Sequence, residues 1–135
     1  MDISKQVKYW MTGAEEDFAA AQSLLEKGHY RHCLFFAHLA LEKMLKAHVT
    51  LKINDFPPKI HNLIRLSEIA EIAIEPEMSV FLRSFDMYQL EGRYPDHGKV
   101  ILDSRITLQK LNNLHYLTDS IPCLTLLGDS RKHRS

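Results

Sequence analysis

The sequence has few of the features that mark extracellular, membrane-bound or disulfide-stapled proteins. Only two cysteines occur among its 135 residues, Cys33 and Cys123, and they lie far apart without the CxxC spacing of a zinc ribbon. The longest uninterrupted apolar stretch, 33–37, is far below the roughly 18 residues that a membrane-spanning helix needs. No apolar run follows a basic start, as it does in a signal peptide. The sequence therefore predicts a cytoplasmic protein that does not associate with a membrane.

Motifs for metals, nucleotide cofactors and common nucleophiles are also missing. The chain has no HExxH, no glycine-rich phosphate loop and no GxSxG. His29 and His32 lie one helical turn apart, but no cysteine or carboxylate at a suitable spacing completes a zinc site. We therefore expect neither a metal nor a cofactor.

Net charge is absent as well, because 17 basic residues balance 17 acidic ones. A neutral total argues against a protein that coats nucleic acid through bulk electrostatics. It leaves room for a small, local phosphate site. The length suits one domain.

The distribution of glycine and proline favours a helical protein. Each occurs five times, mostly between stretches with a helical spacing of apolar residues. The pattern predicts helices over 4–27, 29–52, 61–74 and 76 to 91 or 92, with Gly28 ending the first, and a last helix from Asp103 or Ser104 to Ile121. We predict an all-α fold, an up-and-down antiparallel bundle of four to five helices over residues 1–127. Residues 128–135 form a basic tail that we expect to be flexible.

Polar residues within the second predicted helix offer a first candidate site. His38, Glu42 and Lys46 follow at four-residue steps and therefore share one face. They are either a buried histidine beside an ordinary ion pair or a polar seam that binds a phosphate or a nucleobase. The same helix carries Lys43, and either lysine could reach an anion.

The segment from Arg93 to His97 is the stronger chemical candidate. An arginine binds phosphate bidentately, and a histidine can act as general acid or base. Tyr94 could stack on a base. Together these groups supply what metal-free RNA cleavage needs. The alternative is a proline turn in which Arg93 and Asp96 form a surface pair or a helix cap, because this spacing is common by chance.

Taken in order, the motifs resemble the HEPN domain family over roughly residues 5–121. The quoted features are AEEDFAAAQSLLEKGHY in the first helix, CLFFAHLALEKMLKAHV in the second, PPKIHNL after it, and a late GRYPD turn. The resemblance implies a bundle of four or five helices that is usually a homodimer. Many prokaryotic members pair with a minimal nucleotidyltransferase, and such pairs can act as toxin–antitoxin systems. Many others are metal-independent endoribonucleases with an Arg-x4–6-His motif to which both protomers contribute.

The chain departs from the ribonuclease motif, because only three residues separate Arg93 from His97 and the residue after Arg93 is Tyr94. This form is more similar to members that bind nucleotides or accompany a nucleotidyltransferase. We therefore expect a nucleotide-binding partner subunit of a minimal nucleotidyltransferase, in a toxin–antitoxin pair. The alternatives are a ribonuclease with Arg93 and His97 as catalytic residues, and an interaction module without a ligand. The residues expected to contact nucleotide or phosphate are Lys43, Lys46, His61, Arg93, Tyr94 and Asp96.

Overall fold

Five helices make up the part of the chain that the computed structural model describes, residues 2–91 and 96–114. They are α1 (Ile3–Glu26), α2 (Tyr30–Ile53), α3 (Leu63–Ile69), α4 (Pro76–Glu91) and α5 (His97–Asn112). No strand occurs within these residues. The predicted all-α helical bundle is confirmed. No helix in the described ranges has the length and apolar character needed to cross a membrane.

A short turn reverses the chain between α1 and α2, and side-chain contacts give the directions of the other long helices. Lys43, late in α2, reaches back to Asp17 in α1, so these two helices are antiparallel. Lys110 near the end of α5 donates to Glu75 just before α4, so α4 and α5 are antiparallel too. His48, late in α2, donates to the carbonyl of Leu111, late in α5, so α2 and α5 run in the same direction and begin at the same end of the bundle.

The α2 helix is the central element. Fourteen of its 24 residues are buried, which explains why its sequence is apolar nearly all round. The α1 helix packs along it through one apolar stripe at spacings of three and four. The buried residues of that stripe are Val7, Met11, Ala14, Phe18 and Ala21.

The structure explains why glycine is needed at two positions. Gly28 adopts a φ of +79°, a left-handed conformation that favours glycine, and follows the end of α1 as predicted. Gly13 lies within α1, where a Cβ atom would approach the Cδ of Lys43 to 3.0 Å. Its missing side chain therefore lets the Lys43 stem cross closely over α1.

The predicted limits of α3 and α5 were wrong. The α3 helix begins after Asn62, whose side chain accepts from the Arg65 N–H, and ends at Ile69 rather than residue 74. The α5 helix begins at His97 because the Asp96 side chain caps it by accepting the Lys99 N–H at 3.0 Å. It ends at Asn112, and the predicted continuation to residue 121 lies mostly outside the described residues.

His48 links α2 to α5 in the core, and we expect it to make stability depend on pH. Its Nε2–H donates to the Leu111 carbonyl at 3.0 Å, and burial lowers the pKa of His48 to about 4. The unfolded state therefore takes up a proton first as the pH falls from 6.5 towards 4. This side chain's contribution is complete above pH 6.5 and lost progressively below it, by about 3 kcal/mol in total.

Replacing His48 with glutamine tests this expectation, because the amide keeps a donor without a titrating group. Urea unfolding of both proteins at several pH values from 7 to 4 should show a shallower decline for the variant. Equal slopes would contradict the assignment.

Candidate functional site

A charged cluster lies where α1, α2 and the segment before α3 meet, with Glu42 and Lys46 buried and His61 exposed. The Lys46 ammonium donates to Glu42 Oε2 at 3.0 Å, and His61 Nδ1–H donates to the same oxygen at 3.0 Å. Lys46 also lies over the Trp10 ring, with its Nζ 5.4 Å from the ring centroid. The Lys46 side chain is buried, so its charge is neutralised inside the bundle rather than offered to solvent.

A second polar contact joins three helices through Asp86 of α4. His38 Nε2–H donates to Asp86 Oδ1 at 2.9 Å. The Asp86 carboxylate also accepts the backbone N–H of Leu63 at 3.0 Å and that of Ile64 at 3.2 Å. The interpretation of His38 as a core histidine with a satisfied partner is therefore confirmed.

Lys43 of α2 also faces α1, in an ion pair with Asp17 at 2.7 Å. Beside it is an open groove of about 450 Å³, whose lining includes Lys5, Lys8 and Gly13. Lys43 is partly exposed, unlike Lys46. The groove has a surplus of cations, yet Lys43 itself has a close carboxylate partner.

The start of α5 carries a feature that the sequence did not indicate. The His97 ring stacks on the Tyr30 ring, with centroids 4.8 Å apart and an interplanar angle of 17°. Tyr30 opens α2 and is 48% exposed, while His97 is half-buried. The two rings meet because α2 and α5 are parallel and begin at the same end of the bundle. Sequence spacing gave no signal for Tyr30, since 66 residues separate it from its partner.

The predicted nucleotide contacts therefore fall into separate places. Lys46 and His61 belong to the cluster around Glu42, Lys46 as a buried member and His61 as an exposed one. Tyr30, at the other end of α2, lies 13 residues before Lys43, which corresponds to roughly 20 Å along a helix. Asp96 and His97 lie at the Tyr30 end. Arg93 and Tyr94, which come shortly before them in the chain, lie outside the described residues.

The Tyr30–His97 end has the chemistry for a nucleotide or an RNA segment. An exposed aromatic face can stack on a base, and an imidazole can act as a general acid or base. Lys99 adds a cation two residues after His97, in an exposed ion pair with Asp103 at 3.0 Å. Among residues 2–91 and 96–114, no group of three His, Cys, Asp or Glu side chains is arranged to hold a metal ion.

Comparison with known proteins adds one finding. A family model described as HEPN domain matches residues 7–114, which include most of α1 and all of α2 to α5. No curated protein and no solved structure matches the chain.

Proposed function

The chain belongs to the HEPN domain family, and we propose that it is a nucleotide-binding subunit whose site is the Tyr30–His97 end of the bundle. The stacked ring pair is the observation that carries this proposal. It holds two aromatic planes nearly parallel at an exposed helix end, which is the arrangement that base stacking uses.

The residues before α5 would supply the phosphate contacts of this site. Only three residues separate Arg93 from His97, so an extended chain keeps their Cα atoms within about 14 Å. A guanidinium at this distance can reach a phosphate whose base lies on Tyr30. Tyr94 is a further stacking group, and Asp96 fixes the start of α5 through its cap.

Lys43, Lys46 and His61 are weaker candidates for nucleotide contacts than the sequence analysis predicted. Lys46 and His61 both bind Glu42, so a phosphate at Lys46 would have to displace a buried ion pair. Lys43 is more accessible, although roughly 20 Å of helix separates it from Tyr30. We therefore place the primary site at Tyr30 and His97.

Replacing Tyr30 with alanine should weaken nucleotide binding about 10-fold, because it removes a stacking plane worth about 1–3 kcal/mol per base. Tyr30→Phe keeps the plane and should stay within about 2-fold of the original affinity. Fluorescence titration with a labelled nucleotide measures both. The control is Tyr9→Ala, an exposed tyrosine on α1. An equal loss in Tyr30→Phe, or in Tyr9→Ala, would contradict a stacking role.

The proposed partner is a minimal nucleotidyltransferase, within a toxin–antitoxin pair, and the proposed assembly includes a homodimer of this chain. Family membership supports this part of the proposal. Co-expression with the product of an adjacent nucleotidyltransferase reading frame, followed by affinity purification and mass measurement of the complex, tests it. A stable complex supports the proposal, whereas separate elution of the two proteins counts against it.

A second candidate function is a metal-independent endoribonuclease with Arg93 and His97 as catalytic residues. Its specific support is that the stack fixes the His97 imidazole at a helix start, close in sequence to Arg93. Incubation with mixed RNA in EDTA should then give cleavage that Arg93→Ala and His97→Ala abolish. The exposed His32→Ala on α2 serves as the control. Absence of cleavage at high protein concentration excludes this candidate.

A further inference from the structure

An apolar groove of about 640 Å³ separates α4 from α5, and its lining shares Asp96 and Lys99 with the Tyr30–His97 end of the bundle. Val80 and Phe81 line one wall, and Val100 and Ile106 line the other. Val80 is 61% exposed, and Ile106 is also exposed. The two helices contact each other less than they contact the rest of the bundle. Apolar walls left this open normally have an occupant.

We propose that residues 115–127 of the same chain fill this groove. The chain leaves α5 at Leu114, four residues after Lys110, which lines one end of the groove. Lys110 donates to Glu75, the residue before Pro76, and Pro76 lines the same end. The segment therefore starts at the mouth of the groove and needs no long connection to enter it.

Composition and length of the segment fit the groove. Residues 115–127 read HYLTDSIPCLTLL, with Asp119 as the one formally charged residue and no Lys or Arg. Such a stretch gains free energy when an apolar surface covers it. Thirteen residues span roughly 20 Å even when helical, and the wall from Asp96 to Lys110 has roughly the same length.

Charge complementarity also supports this segment as the occupant of the groove. A segment that enters at Lys110 and runs along the groove ends near Asp96, which lines the opposite end. The basic residues of the tail begin four residues after this segment, beyond Asp129; they are Arg131, Lys132 and Arg134. Opposite charges then meet at the far end of the groove, where they fix the direction of the segment.

Cys123 lies inside the segment and serves as the probe. The test variant of the full chain is Val80→Cys, which places a thiol in the groove. The matched control is Leu102→Cys, because Leu102 is 56% exposed and does not line the groove. Cys33 does not compete, because it is fully buried and burial raises the pKa of its thiol to about 11. Cross-linking with a short bismaleimide at low protein concentration is followed by mass spectrometry of the linked peptides.

Intrachain linkage of Cys123 should be at least about 10-fold faster for Val80→Cys than for Leu102→Cys, because docking raises the local concentration of the thiol. Equal rates for the two variants would overturn the proposal. Linkage between two chains would overturn it as well, since a second copy would then supply the occupant.

Hydrogen exchange gives an independent readout that does not depend on cross-linking geometry. Val80→Asp places a charge in the groove and should accelerate amide exchange of residues 115–127 about 10-fold, whereas Leu102→Asp should leave it unchanged. Fast exchange of this segment in the unmodified chain would contradict the proposal. Nucleotide binding is not involved in either measurement, so the two proposals stand or fall separately.

Discussion

Replacing Asp86 with alanine is expected to lower the free energy of unfolding by about 4 kcal/mol, the largest stability effect that the structure predicts. The carboxylate accepts one hydrogen bond from His38 and others from the Leu63 and Ile64 backbone. Alanine leaves these donors without their acceptor in a mostly buried place. Because whole domains are stable by only about 5–15 kcal/mol, the loss should be plain in urea unfolding.

Two further variants distinguish the loss of the Asp86 hydrogen bonds from the general effect of removing a negative charge. Asp86→Asn keeps one acceptor oxygen and should cost less than the alanine variant. Asp103→Ala removes a partly exposed carboxylate that pairs with Lys99 and should cost less than about 1 kcal/mol. If Asp86→Ala were no more destabilising than Asp103→Ala, α3 would not depend on this contact.

Replacing Arg93 with alanine is expected to weaken nucleotide affinity about 100-fold, which corresponds to roughly 3 kcal/mol. The reason is chemical: a guanidinium makes two charge-assisted hydrogen bonds to a phosphate, and alanine makes none. Arg93→Lys retains the charge but not the paired geometry, so it should bind more tightly than Arg93→Ala and less tightly than the unmodified chain.

The matched control for Arg93 is Arg83→Ala, which removes an exposed arginine on α4 outside the proposed site. It leaves the net charge equal to that of Arg93→Ala. Titration of all variants with the same nucleotide at one salt concentration separates local contact from bulk electrostatics. Equal weakening by the two alanine variants would show that Arg93 acts only through net charge.

Much of the bundle could be predicted from the sequence because periodicity and turn chemistry are local. The limits of α1, α2 and α4 were correct to within about one residue, as expected of long periodic helices with clear ends. The start of α5 was wrong because three residues could cap it, namely Asp96, Asp103 and Ser104. Ser104 instead donates to the Val100 carbonyl inside the helix.

The candidate site was harder to predict, because it depends on which helix ends meet. Spacing correctly placed Glu42 and Lys46 on one face, but it could not reveal that His61 would also bind Glu42. Likewise, nothing local to Tyr30 indicates a partner in α5. Such contacts follow from the topology of the whole bundle, which a helical period does not encode.

Calorimetric titration of the full chain with ATP, GTP and their monophosphates tests the central claim most directly. We expect saturable heat with at least one of the four, and a clear weakening in the Tyr30→Ala variant. If none of the four nucleotides gave saturable heat at millimolar concentration, the proposal of a nucleotide-binding subunit would be contradicted.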